Sequence, residues 1–197
     1  MTNARIHTAS ELFITYGFKE VTMDMIAQEL GISKKTLYEQ FSNKKDLVKA
    51  CVDHLFQAIT KGIFEITQQN HNPIEELYII KKFAMEHMKG ERSAPQYQLK
   101  RYYPSIFKTI EEKQYNFITA TIEKNIIRGI KQGLYRKSIS IPLVVKLYYV
   151  GITSIKNQQL FPQAEFPAEQ LQRDFLEHHL RSIVTEKGLK KLKNYLA

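Results

Sequence analysis

The chain has 197 residues, 43% of them hydrophobic and 25% charged, a globular balance with enough length to bury a substantial core. Its one cysteine, Cys51, excludes an intrachain disulfide and a cysteine-rich zinc site, and fits a reducing compartment. The net charge of +9 favours a polyanionic partner, although the excess lies in the second half of the chain: residues 101–150 hold nine Lys/Arg against three Asp/Glu, and residues 1–50 hold seven against six. No apolar signal-like core follows Met1, and the apolar stretches 139–145 and 147–155 are separated by Lys146. Neither reaches the roughly 20 residues that span a bilayer. These features predict a cytoplasmic protein with no membrane partner.

The pattern is helical almost throughout, with Gly and Pro as punctuation and no convincing strand alternation. A first helix is predicted over about Thr2–Tyr16, with Ile6, Ala9, Leu12, Phe13 and Tyr16 as its apolar stripe and Gly17 as its stop. Thr22 is placed to cap a helix over Met23–Leu30, and Gly31 follows that helix. Ser33 caps a short helix over Lys34–Gln40, and Ser42 a long one over Asn43–Gln68. Asn72, Pro73 and Glu75 restart a helix that runs to about Lys89, with Gly90 closing it. Glu91–Gln98 reads as a loop or short helix, and a long helix follows over Pro104–Gln132, ended by Gly133. Pro142–Asn157 is apolar on nearly every side, which predicts burial on nearly every side. A last long helix covers Pro167–Glu186, and Gly188 precedes a basic tail, Lys190–Lys193.

Residues 22–41 carry the chemistry. Two short helices meet at Gly31-Ile32-Ser33, the layout of a helix-turn-helix. Ala27 is small where the helices must cross, and Ile26, Leu30, Ile32 and Leu37 are placed to hold their angle. The second helix then presents Lys34, Lys35, Thr36 and Tyr38 near its N-terminal end, the end that meets base edges in a major groove. Lys44 and Lys45 suit phosphate contact, and five lysines from Ser33 to Lys49 face only Glu39 and Asp46. The candidate DNA-facing set is Thr22, Ser33, Lys34, Lys35, Thr36, Tyr38, Lys44 and Lys45. A plain helical hairpin with solvated lysines is the competing reading of the same residues.

Ala9-x-x-Leu12-Phe13-x-x-x-Gly17-Phe18, then Val21-Thr22-Met23-x-x-Ile26-Ala27, is similar to the start of TetR-family transcriptional regulators. So is Leu30-Gly31-Ile32-Ser33-x-x-Thr36-Leu37-Tyr38-x-x-Phe41-x-x-Lys44-x-x-Leu47. The resemblance covers about the first 50 residues. Met25 departs from it, standing where the family often has an acid, so a reciprocal capping box is unavailable. Lys35 departs too, in place of a small residue.

The resemblance implies an all-α protein. Residues 1–50 would form a three-helix DNA-binding domain, with its helix-turn-helix at about 22–41. A long fourth helix would join it to a helical ligand-binding and dimerisation domain, residues 51–197. It further implies a homodimer on palindromic double-stranded DNA, released by a small-molecule effector, and a repressor. The chain is rich in aromatics, eleven Tyr and eleven Phe. Phe83, His87, Tyr102, Tyr103, Phe107, Phe117 and Tyr148 are candidates to line the ligand pocket, or else simply core. The apolar helix 142–155 and the helix 167–186 are candidates for a four-helix interface across a two-fold axis. No cofactor, metal or catalytic motif is visible: His178 and His179 cannot share a helix face, and no H-E-x-x-H occurs. The rival reading is an all-helical enzyme or small-molecule carrier with an incidental hairpin. A membrane-surface adaptor using the basic tail is weaker, because that tail is short.

Overall fold

The computed structural model describes residues 2–87 and 93–195. Ten α-helices follow one another among these residues: α1 Thr2–Tyr16, α2 Met23–Glu29, α3 Lys34–Gln40, α4 Lys44–Thr67, α5 Pro73–His87, α6 Ser93–Tyr102, α7 Pro104–Lys131, α8 Ile141–Ser154, α9 Ala168–Ile183 and α10 Glu186–Leu192. A 3₁₀ turn, Lys193–Tyr195, closes the series. The all-α prediction holds; among the described residues the extended pairing is a single bridge between Tyr135 and Val184. Lys89 and Gly90, expected to close α5, lie outside the described residues, as does Glu91 at the start of the expected loop or short helix. Ser93–Tyr102 is helical.

Contacts divide the chain into two compact units. Unit 1 comprises residues 1–61 and 92–113; unit 2 comprises 62–91 and 114–197. In unit 1, Ala9 and Phe13 of α1, Ile26 of α2, Leu37 of α3 and Leu47, Val48 and Cys51 of α4 form one core. Leu99, Ile106 and Ile110 complete it from α6 and the first turns of α7. Compaction around α1–α4 therefore recruits a segment about fifty residues further along the chain than the sequence-matched part. Lys113 fastens that segment to α4 by an ion pair with Asp53 at 2.6 Å.

Unit 2 is organised around a polar knot that sequence did not foretell. Glu76 of α5 is 2% exposed. One carboxylate oxygen accepts from Asn125 Nδ2 at 2.8 Å, and the other from Arg128 Nη2 at 2.5 Å. The same Asn125 amide donates to the Pro73 carbonyl, and its oxygen accepts from the buried Tyr135 hydroxyl at 3.1 Å. A buried carboxylate is tolerable only with such partners, because removing one leaves a charge unpaired. Around the knot pack Ile74, Leu77, Ile122, Ile126, Leu176, Leu180 and Ile183.

Two expectations are corrected here. The basic tail is not a tail: Thr185 caps α10, its hydroxyl accepting from Gly188 N at 3.1 Å, and Leu192 is fully buried. Gly188 abuts the Leu134 carbonyl so closely that a Cβ would stand 2.1 Å from that oxygen. Lysine density masked the Leu189/Leu192 spacing that turns one face inward. Helix α8 is also not buried on nearly every side, because Leu143, Leu147 and Val150 are each more than half exposed, at 56%, 59% and 56%. These positions recur at i, i+4 and i+7, so they form one stripe. Val145 points the other way, into the core.

His179 on α9 is 7% exposed and packs edge-on against Tyr148, with ring centroids 4.8 Å apart. Burial, helped by the charge of neighbouring His178, lowers its pKa from 6.5 to about 4. Between those values the unfolded chain binds the proton and the folded chain does not. Stability therefore falls on acidification through that window, by up to about 1.4 kcal/mol per pH unit. Urea unfolding at pH 7, 5.5 and 4.5 checks this. A His179→Leu variant is expected to gain on the wild type by about 2–3 kcal/mol across that range; parallel curves would contradict it.

Candidate nucleic-acid interface

The α2–α3 hairpin is built from local signals. Thr22 is extended (φ −105°, ψ 163°), and its hydroxyl accepts from Met25 N at 3.2 Å. The one-sided cap thus forms even though Met25 cannot return the bond. At the far end of α2, Gly31 adopts φ +62°. Gly31 N donates to Gln28 O and Ile32 N to Ala27 O, both at 3.0 Å, the paired bonds that stop a helix and turn the chain. Ser33 then caps α3, accepting from Thr36 N at 3.0 Å, while the Ser33 and Thr36 hydroxyls lie 2.8 Å apart.

Ile26 and Leu37 are fully buried, and Ala27 is 4% exposed where the helices approach. Leu37 is the buried residue of α3. With that side chain inward, Lys34, Lys35 and Tyr38 are exposed and Thr36 is half-buried beside them. Tyr38 is 42% exposed, so its ring is available at the surface rather than spent on the core.

The eight candidate residues are not equivalent. Thr22 and Ser33 are committed to caps. Lys34 reaches across the turn to Asp24 at 2.7 Å, and that hydrogen bond and charge raise its pKa. Lys44 is half-buried, donating to the Lys19 carbonyl at 3.3 Å and lying 6.0 Å from the Phe13 ring. Burial lowers its pKa, opposed by the charge of Glu20. Lys35 and Lys45 are exposed and form no ion pair among the described residues. They are the cations left for an incoming polyanion.

The seven ligand candidates do not form one cluster within either unit. Tyr103 and Phe107 pack on the unit 1 core, Tyr103 edge-on to Phe18 at 6.3 Å. Tyr102 is 42% exposed beneath the Arg101 guanidinium. In unit 2, Phe83 lies against His87 with centroids 3.9 Å apart. Tyr148 stands beside Phe175 and His179, its hydroxyl pushed up to about 12 by burial. Phe117 is half-buried on α7. A cavity of about 310 Å³ does occur in unit 1, between α4 and α7, floored by Val52, Ile106 and Ile110 and rimmed by Lys45 and Lys49. It includes none of the seven. Cys51 is buried and its thiol is pushed up to about 11, so it is no nucleophile at neutral pH.

Residues 6–51 match the family described as bacterial regulatory proteins, tetR family. FasR of Mycolicibacterium smegmatis, an HTH-type transcriptional activator, is 36% identical over 55 residues, which are 28% of this chain and 25% of that protein. The chain thus spans a quarter of that relative's length in the match. Two solved structures share the fold over nearly all of both chains. A regulator from Saccharomonospora viridis in complex with choline has a TM-score of 0.77 at 18% identity, covering 94% of this chain and 98% of that one. SmeT, the repressor of the Stenotrophomonas maltophilia efflux pump SmeDEF, has a TM-score of 0.72 at 13% identity, covering 94% and 92%. Over residues 6–51 the chain is thus similar to the tetR family of bacterial regulatory proteins, and over nearly its whole length it shares the fold of solved transcriptional regulators.

The Ser33 cap gives a direct check on this geometry. Ser33→Ala is expected to cost about 0.5–2 kcal/mol in urea unfolding, and Ser33→Asp to restore most of it. Equal stability of Ser33→Ala and wild type would mean that the cap does not hold α3.

Proposed function

We propose that the protein is a cytoplasmic, homodimeric regulator that binds a palindromic operator as a repressor and is released by a small molecule. One observation carries the DNA-binding part. Helix α3 turns Leu37 into the core and presents Lys35 and Tyr38 outward, with Thr36 half-buried beside them. Lys and Thr are able to hydrogen-bond to base edges, a Thr methyl fits a thymine methyl, and Tyr38 and Lys45 suit phosphates. Lys34, tied to Asp24, serves the fold of the hairpin first.

A single short helix makes few contacts, and paired half-sites about 34–36 Å apart are the usual remedy. The exposed stripe Leu143, Leu147 and Val150 supports self-association through α8, because like stripes meet across a two-fold axis. The release step has support in the chain's covalent layout. Helices α4 and α7 each pass without interruption from one unit to the other. A ligand that distinguishes two states by about 1–3 kcal/mol would change operator affinity roughly 5–150-fold. The choline complex of the Saccharomonospora viridis regulator shows that a protein of this fold takes a small molecule. The effector of this chain is a matter for screening.

Selection of bound genomic fragments supplies the operator, and a salt series then separates the roles. Lys35→Ala is expected to shift sequence preference, at about 1–3 kcal/mol per base contact. Lys45→Ala should weaken all sequences alike and lower the salt slope by about one contact. Wild-type protein that selects no sequence would sink the reading. For assembly, light scattering at micromolar concentration should return twice the 23.1 kDa chain mass, and Leu147→Glu the single mass. A monomeric wild type would remove α8 as an interface.

A further inference from the structure

Lys19 lies in the loop between α1 and α2, and side chains from two other helices use both of its backbone polar groups. Its N–H donates to Oε1 of Gln98, on α6, at 2.9 Å. Its carbonyl accepts from Nζ of Lys44, at the start of α4, at 3.3 Å. An exposed loop amide ordinarily bonds to water, so a side chain 79 residues away that takes this place marks a specific fastening.

Gly17 makes room for it. A Cβ there would stand 2.6 Å from the Gln98 Oε1 and 2.7 Å from its Nε2, and the residue has φ +88°. The backbone therefore requires glycine, and a side chain there would displace the Gln98 amide from its place. The Gln98 amide is presented from a fixed place, because the next residue, Leu99, is buried in the unit 1 core and Tyr103 packs on Phe18. The loop so gripped is short. It ends at Thr22, the cap of α2, so its path sets where the hairpin begins.

We infer that Gln98 is a positioning residue for DNA binding: it touches no DNA and holds the α1–α2 loop, and through it the hairpin, in the orientation that meets an operator. The inference rests on the DNA-binding reading above. It places a determinant of operator affinity outside residues 6–51, the segment matched to the family. An acceptor at this position is the essential chemistry, so glutamate should serve and leucine should not.

Two readouts on the full-length protein test it: amide hydrogen exchange, and binding to the selected operator over a salt series. In Gln98→Leu, the Lys19 amide should exchange at least about tenfold faster, with Ile26 and Leu37 amides unchanged. Operator affinity should fall about 3–10-fold at an unchanged salt slope, because one hydrogen bond and no phosphate contact is lost. In Gln98→Glu, Lys19 should remain as protected as in wild type. Three results would overturn the proposal: equal Lys19 exchange in all three proteins, faster exchange at Ile26 and Leu37 as well, or wild-type operator affinity in Gln98→Leu. If wild-type protein binds no DNA, the functional reading fails separately, and Lys19 exchange alone decides whether the fastening exists.

Discussion

The α2 and α3 helices have seven residues each, which is below the length at which a helix sustains itself in water. Their existence and their mutual angle depend on burying Ile26, Ala27 and Leu37 against α1, α4 and the segment that reaches in from α6 and α7. Everything the interface does follows from that burial. Once Leu37 is inside, the period of the helix sends Lys35 and Tyr38 outside, and the Ser33 cap sets the end from which they are presented. A side chain cannot be both the anchor and the reader, and the hairpin divides these roles residue by residue.

Charge is distributed by the same logic. The chain is basic, but its surplus lies in residues 101–150 and not at the hairpin. Near the interface, Lys34 is held by Asp24 and Lys44 by the Lys19 carbonyl. Few cations remain uncommitted there: among the described residues Lys35, Lys45 and Lys49 are exposed and form no ion pair. In unit 2, Arg128 is drawn to the buried Glu76. Net charge thus overstates what is available to a polyanion.

Local signals were legible in the sequence, and distant partnerships were not. The bounds of α1 and α3 follow from Gly17, Ser33 and the apolar spacing, all within one or two turns of the residues they control. The helix-turn-helix and its outward residues followed in the same way. By contrast, the Asp24–Lys34, Lys19–Lys44 and Lys19–Gln98 contacts span 10, 25 and 79 residues. No periodicity encodes them. The aromatic residues of mid-chain share composition but not location, because Tyr103 and Phe107 were recruited to the unit 1 core and Tyr148 to unit 2. The C-terminal lysines concealed a docked helix, since charge on one face says nothing about the leucines on the other.

The central claim is that unit 1 is a single cooperative body made of residues 1–61 and 92–113, so that the hairpin's geometry depends on α6 and the start of α7. Native-state hydrogen exchange of the full chain with Val48→Ala, a cavity in the unit 1 core, measures it most directly. The account predicts that protection at Leu99, Ile106 and Ile110 falls together with that at Ile26 and Leu37, while Ile122 and Leu180 keep theirs. If Leu99, Ile106 and Ile110 instead keep pace with Ile122 and Leu180, the segment belongs to the other unit and the account is wrong.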